Sequence, residues 1–108
     1  MKRGTWKAIE RQWAERLDGK RVPITGRTRG DAPDVAHERW SIEVKAGRVM
    51  SMRLQEAVEQ ADASCKEGQT PIVCITQTEG RGKPNENFVL MRFDDWNKLV
   101  QGDSHAKE

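Results

Sequence analysis

The stretch Asp31–Gly47, reading DAPDVAHERWSIEVKAG, constrains this chain more than any other. From Ser41 to Ala46 polar and apolar residues alternate, with Ile42 and Val44 on one face and Glu43 and Lys45 on the other. Period-two alternation is the pattern of a strand with one buried face. A short strand before it, joined by a tight turn at Glu38-Arg39, gives a hairpin in which Asp34 faces Glu43. Residues opposed in this way lie about 4.5–5.5 Å apart at Cβ. Two carboxylates that close repel, and a bound cation is the common way to keep both ionised. Lys45 projects from the same face as Glu43. The expectation is a metal site with a cationic neighbour, suited to phosphoryl chemistry.

The remaining chain is short enough to limit what surrounds that hairpin. At 108 residues it allows one domain with a modest core, expected over residues 1–101, and a disordered tail over 102–108. No apolar run approaches the roughly 20 residues of a membrane span, and no apolar segment near the start resembles a secretory signal. No membrane partner is expected. Two cysteines, Cys65 and Cys74, make no disulfide framework; one falls on the apolar face of a helix and one in an apolar strand, so both are expected as buried thiols. The cytoplasm is the expected compartment. Repeats, a Walker motif and a dinucleotide-binding glycine pattern are all absent.

Charge is unevenly spread. Residues 1–30 carry nine Lys/Arg against three Asp/Glu, so this third is strongly basic in a chain whose formal net charge is only +2. A basic segment leading into a carboxylate cluster suits a phosphodiester substrate, and Lys2, Arg3 and Lys7 are its first candidate phosphate contacts. A solvated helix face behind a basic start would look the same.

Thr5 can cap a helix reaching about Leu17, with Trp6, Ile9, Trp13 and Leu17 at helical spacing. Glu10 falls about 40° from Trp6 on the helical projection, at the apolar stripe and not opposite it. A carboxylate there needs a partner. Either a nearby arginine or a metal ion would serve. Gly19 ends the helix, and Arg21–Ile24 is expected as a short edge strand because it contains Pro23. Thr25–Gly30 then places two glycines, Arg27, Arg29 and the hydroxyls of Thr25 and Thr28 in six residues, a loop able to contact phosphate or simply a turn.

After the hairpin, Gly47-Arg48 breaks the strand and Ser51 caps a second helix to about Lys66, whose stripe is Leu54, Ala57, Val58, Ala61 and Cys65. Gln60 lies at that stripe's edge. Pro71–Ile75 is a continuous apolar run expected as a strand buried on both faces. An exposed loop over Gln77–Glu86, a strand over Asn87–Phe93 and a short helix from Asp94 complete the chain. His37 has no second histidine at ligand spacing, so zinc is not expected.

Pro33-Asp34, eight intervening residues and Glu43-Val44-Lys45 together resemble the PD-(D/E)XK nuclease signature. With the helix-borne Glu10 and the basic Thr25–Gly30 loop, roughly residues 4–93 look most like the archaeal-type Holliday junction resolvases, including their phage-encoded relatives. The resemblance implies an α/β fold with a single mixed central sheet flanked by helices, in the order αβββαβ. It implies catalysis by Glu10, Asp34, Glu43 and Lys45. A Mg²⁺ cofactor, replaceable by Mn²⁺, would be held by Asp34, Glu43, the Val44 carbonyl and Glu10, directly or through water. It further implies that Thr25 or Thr28 replaces the family's loop serine, and that Gln60 approaches the site or is an ordinary exposed glutamine. The partners implied are a four-way DNA junction and a second copy of the chain, because paired cuts need two sites.

Overall fold

The computed structural model describes residues 3–22 and 33–106. They form α1 (Arg3–Leu17), β1 (Lys20–Arg21), β2 (Val35–Ala36), α2 (Met52–Ser64), β3 (Val73–Gln77), β4 (Glu86–Leu90) and α3 (Phe93–Ala106). The class is mixed α/β. Among the described residues the single central sheet expected from the sequence is not shown: β1 pairs with β2 and β3 with β4, as two antiparallel two-stranded sheets. The chain divides into two compact units, Met1–Val49 and Met50–Glu108.

In the first unit α1 begins at Arg3, two residues before the expected Thr5 cap, and ends at Leu17. Its C-terminus closes with Gly19 N–H donating to Ala14 O at 2.7 Å and Asp18 N–H to Glu15 O at 3.3 Å. This pair of bonds is a Schellman closure. The residue in the left-handed conformation is Asp18, at φ 56°, and not the glycine. Gly19 answers a different need, close approach: a Cβ there would lie 2.6 Å from Ala36 O and 2.8 Å from Val35 Cγ1.

The glycine thus sets β1 against β2, where Lys20 faces Ala36 and Arg21 faces Val35. Val35 in turn bridges Ile42, the register expected for the hairpin. Ser41–Ala46 makes only this bridge and no named strand, but the alternation expected there holds in burial, with Ile42 and Val44 buried and Glu43 and Lys45 exposed. Ala14, Val35, Ile42 and Val44 form the core, with Ile9, Trp13, Leu17 and Trp40 packed around it. Burying these aliphatic side chains is worth about 1.5–3 kcal/mol each for the larger ones. The hairpin turn is secured by His37, whose Nδ1 accepts from Arg39 N–H at 3.0 Å and Trp40 N–H at 3.3 Å. Arg39 stacks on Trp40, with its guanidinium carbon 4.5 Å from the ring centroid.

In the second unit, Ser51 caps α2 as expected, its Oγ accepting Leu54 N–H at 3.2 Å. The expected stripe of Leu54, Ala57, Val58, Ala61 and Cys65 is half-buried. β3 and β4 pair in register from Val73–Leu90 to Gln77–Glu86, with Thr76 Oγ1 donating to Asn87 Oδ1 at 2.8 Å across the sheet. Two expectations are corrected here. The apolar run contributes a strand that starts at Val73 and alternates between half-buried Val73 and Ile75 and exposed Cys74 and Thr76, so it is not buried on both faces. Cys74 is accordingly exposed and Cys65 only half-buried, so neither is a buried thiol. Only one face of a two-stranded sheet packs against α2, leaving alternate residues of β3 in solvent. α3 starts at Phe93, where the sequence suggested strand, and continues through Gly102 to Ala106. A bidentate ion pair ties α2 to the residue preceding α3: Arg92 Nη1 and Nη2 each lie 2.6 Å from an Asp62 carboxylate oxygen.

Candidate functional site

The four expected catalytic residues, Glu10, Asp34, Glu43 and Lys45, all lie in the first unit, and the local backbone relates three of them. Asp34 is buried at 6% exposure. Its backbone N–H donates to Ile42 O at 3.0 Å, and its Oδ2 accepts the Val44 N–H at 2.6 Å. Asp34 therefore brackets Glu43, bonded to the residue on either side of it. Val44 is also the residue between Glu43 and Lys45. Strand alternation sends these two side chains to the same exposed face, with Lys45 Nζ 3.9 Å from Glu43 Oε2. Both are well exposed, so the contact reports shared orientation more than stabilisation.

Glu10 is the most buried polar side chain described, at 2% exposure. The helical projection put it at the margin of the apolar stripe; the core instead centres on Glu10 and Ala14, one turn apart, while Trp6, Ile9, Trp13 and Leu17 are half-buried. Both carboxylate oxygens are engaged. Arg21 Nε donates to Oε1 at 2.7 Å, and the Trp6 indole N–H donates to Oε2 at 3.2 Å. Of the two partners the sequence allowed, a nearby arginine is the one seen. The sequence marks Arg21 only as a strand residue. The signal available was its place four residues past the end of the helix that carries a stripe-facing glutamate.

The other expected contacts are scattered. Lys7 is exposed on α1, and Arg3 is the first residue of that helix. Gln60 is exposed on α2, in the second unit. Lys2, Thr25, Arg27, Thr28 and Arg29 lie outside the described residues.

The donors suit a hard divalent cation in part. Mg²⁺ is commonly bound by one or two carboxylates together with water and substrate phosphate. Asp34 and Glu43 supply two carboxylates from the two arms of the hairpin, and the Val44 carbonyl lies on the same backbone segment as Glu43. Glu10 already accepts one hydrogen bond at each oxygen, from Arg21 and Trp6, and each oxygen keeps a second lone pair that a cation or its bound water could use. Among the described residues no three His, Cys, Asp or Glu side chains are gathered to hold a metal ion.

Comparison with known proteins gave no match to a family model, to a curated protein or to a solved structure. Among the described residues no helix is long and apolar enough to cross a membrane.

Proposed function

We propose that this chain is a Mg²⁺-dependent, structure-selective DNA endonuclease that resolves four-way junctions by paired symmetric nicks, acting as a two-fold homodimer in the cytoplasm. The observation that carries the reading is the hydrogen bond from Val44 N–H to Asp34 Oδ2, which fixes one carboxylate against the segment bearing Glu43 and Lys45. This is the residue set of the PD-(D/E)XK signature, which the sequence resembles in order and spacing. The finer architecture, a single αβββαβ sheet, belongs to the same proposal.

Asp34 and Glu43 would hold the cation with the Val44 carbonyl. When bound, Mg²⁺ supplies a water of lowered pKa and neutralises charge on the phosphate and leaving oxygen. Lys45 places a cation where negative charge develops on the pentavalent phosphorus, a type of stabilisation worth several kcal/mol. As an ammonium it has no lone pair, so it orients and stabilises and does not take a proton. Buried Asp34 is fixed by the backbone, whereas exposed Glu43 can adjust to the substrate.

A second reading rests on two observations. Glu10 is occupied by Arg21 and Trp6, and Lys45 lies near Glu43, an arrangement also compatible with a nuclease-derived DNA-binding module that does not cut. A further PD-(D/E)XK enzyme acting on flaps or other branched DNA would share every residue named.

One experiment separates them. A labelled four-way junction, linear duplex, flap and single strand are incubated with Mg²⁺, Mn²⁺ or EDTA, using wild type and Asp34→Asn. Paired nicks in the junction alone, lost with EDTA and in the variant, are expected. Metal-dependent cutting of flaps or duplex would keep the nuclease and discard the junction. Tight binding without cutting would leave the inactive module. A monomer by sizing with light scattering at micromolar concentration would count against paired resolution.

A further inference from the structure

We infer that Arg21 is a DNA-phosphate-binding residue, oriented by Glu10 and Trp6, and that Glu10 acts here as its positioning partner. This rests on the nuclease reading and adds to it a contact that neither composition nor motif spacing marked. A guanidinium offers five N–H donors in a rigid plane. Arg21 gives Glu10 only its Nε, at 2.7 Å. Its two Nη groups have no hydrogen-bond partner among the described residues. Arg92 provides the contrast within the same chain, because both of its Nη groups are spent on Asp62.

The Arg21 side chain is only 16% exposed and its carboxylate partner 2%, so the guanidinium is held in one place and retains a narrow opening to solvent. A guanidinium fixed through Nε, with both Nη groups left to donate, matches the paired oxygens of a phosphodiester. Its position is suitable. Arg21 faces Val35 across β1 and β2, and the next residue, Val22, donates its N–H to Asp34 O at 2.9 Å. The arginine thus sits on the strand directly bonded to the Asp34 backbone. The Glu10 charge also matters: it offsets that of Arg21, so the pair attracts DNA little at long range and contributes through geometry at contact.

The test is anisotropy of a fluorescein-labelled four-way junction in EDTA across a salt series, with thermal unfolding of each variant. Arg21→Gln is expected to weaken binding several-fold and to reduce the slope of log K against log salt by about one, the signature of a single lost phosphate contact. Because this substitution takes the Arg21 charge away from buried Glu10, a second variant, Glu10→Met with Arg21→Met, removes the pair together, keeps the net charge and fills the space with apolar atoms. It is expected to fold and to show the same reduced slope. If Arg21 only neutralises Glu10, the double variant will bind with wild-type affinity and slope, and the inference is overturned while the nuclease reading stands. Wild-type protein that binds no DNA would overturn both.

Discussion

Asp34 accepts the backbone N–H of Val44 at 2.6 Å, so a buried carboxylate holds the one residue that separates Glu43 from Lys45. On the proposed nuclease reading Asp34 would have two separable roles, in chemistry and in holding the hairpin. Asp34→Ala leaves the Val44 N–H without its acceptor in a buried setting, which should cost about 1–3 kcal/mol. Asp34→Asn keeps a side-chain oxygen that can accept the bond and should cost less. Cleavage should be lost in both. Urea unfolding alongside the cleavage assay checks this, and equal destabilisation by the two substitutions would show that the bond is not what secures the hairpin.

Gly19 and Asp18 should respond in opposite directions. Any Cβ at Gly19 meets Ala36 O and Val35 Cγ1 closer than real contacts allow, and one of those is backbone. Gly19→Ala should therefore destabilise the protein by about 1–3 kcal/mol by forcing β1 away from β2. At Asp18, φ is already 56°, a conformation that costs most non-glycine residues roughly 1–2 kcal/mol and aspartate somewhat less. Asp18→Gly should stabilise by up to about 1 kcal/mol. Denaturant midpoints for the two variants, shifted to opposite sides of wild type, are the expected result.

These neighbours also show how far the sequence can be read. The hairpin register was legible because alternation over Ser41–Ala46 and a short turn leave few ways to pair. The α2 stripe was legible because five residues repeat at helical spacing. The helical projection shows that Glu10 needs a partner, but that Arg21 comes within reach follows from a strand pairing that no periodicity encodes. His37 was passed over because turn capping by an imidazole depends on backbone N–H directions. Cys74 was misjudged for a related reason. An apolar run signals burial only when both faces of its sheet are covered, and α2 packs against one face of β3 alone.

Lys45 and Glu43 should separate binding from chemistry. Both are exposed and paired only loosely, so removing either should change stability by no more than about 0.5 kcal/mol. Lys45→Ala and Glu43→Gln are each expected to abolish junction cleavage while retaining most junction affinity in EDTA. Metal titration followed by Mn²⁺ paramagnetic resonance should show affinity lost in Glu43→Gln and largely kept in Lys45→Ala. Full cleavage by both variants would remove the Asp34–Glu43 pair from consideration as the metal site.

The Asp62–Arg92 pair should make the second unit sensitive to acid. The side-chain hydrogen bonds from Arg92 hold the Asp62 carboxyl below its ordinary value of 3.8, and the guanidinium charge adds to the effect. A carboxylate with its pKa depressed on folding contributes stability above the unfolded value, and that contribution disappears as pH falls through the lower, folded value. Stability should therefore decline below about pH 4 in wild type through this pair. Asp62→Asn, which cannot ionise, should remove that part of the decline. Both side chains are substantially exposed, so solvent and salt screen the pair and its contribution should shrink at high ionic strength. Unfolding followed by a probe in the second unit, at low and high salt across the acid range, measures both dependences. A wild-type and Asp62→Asn difference that does not narrow as pH falls would show that the ion pair contributes nothing to holding α2 near the start of α3.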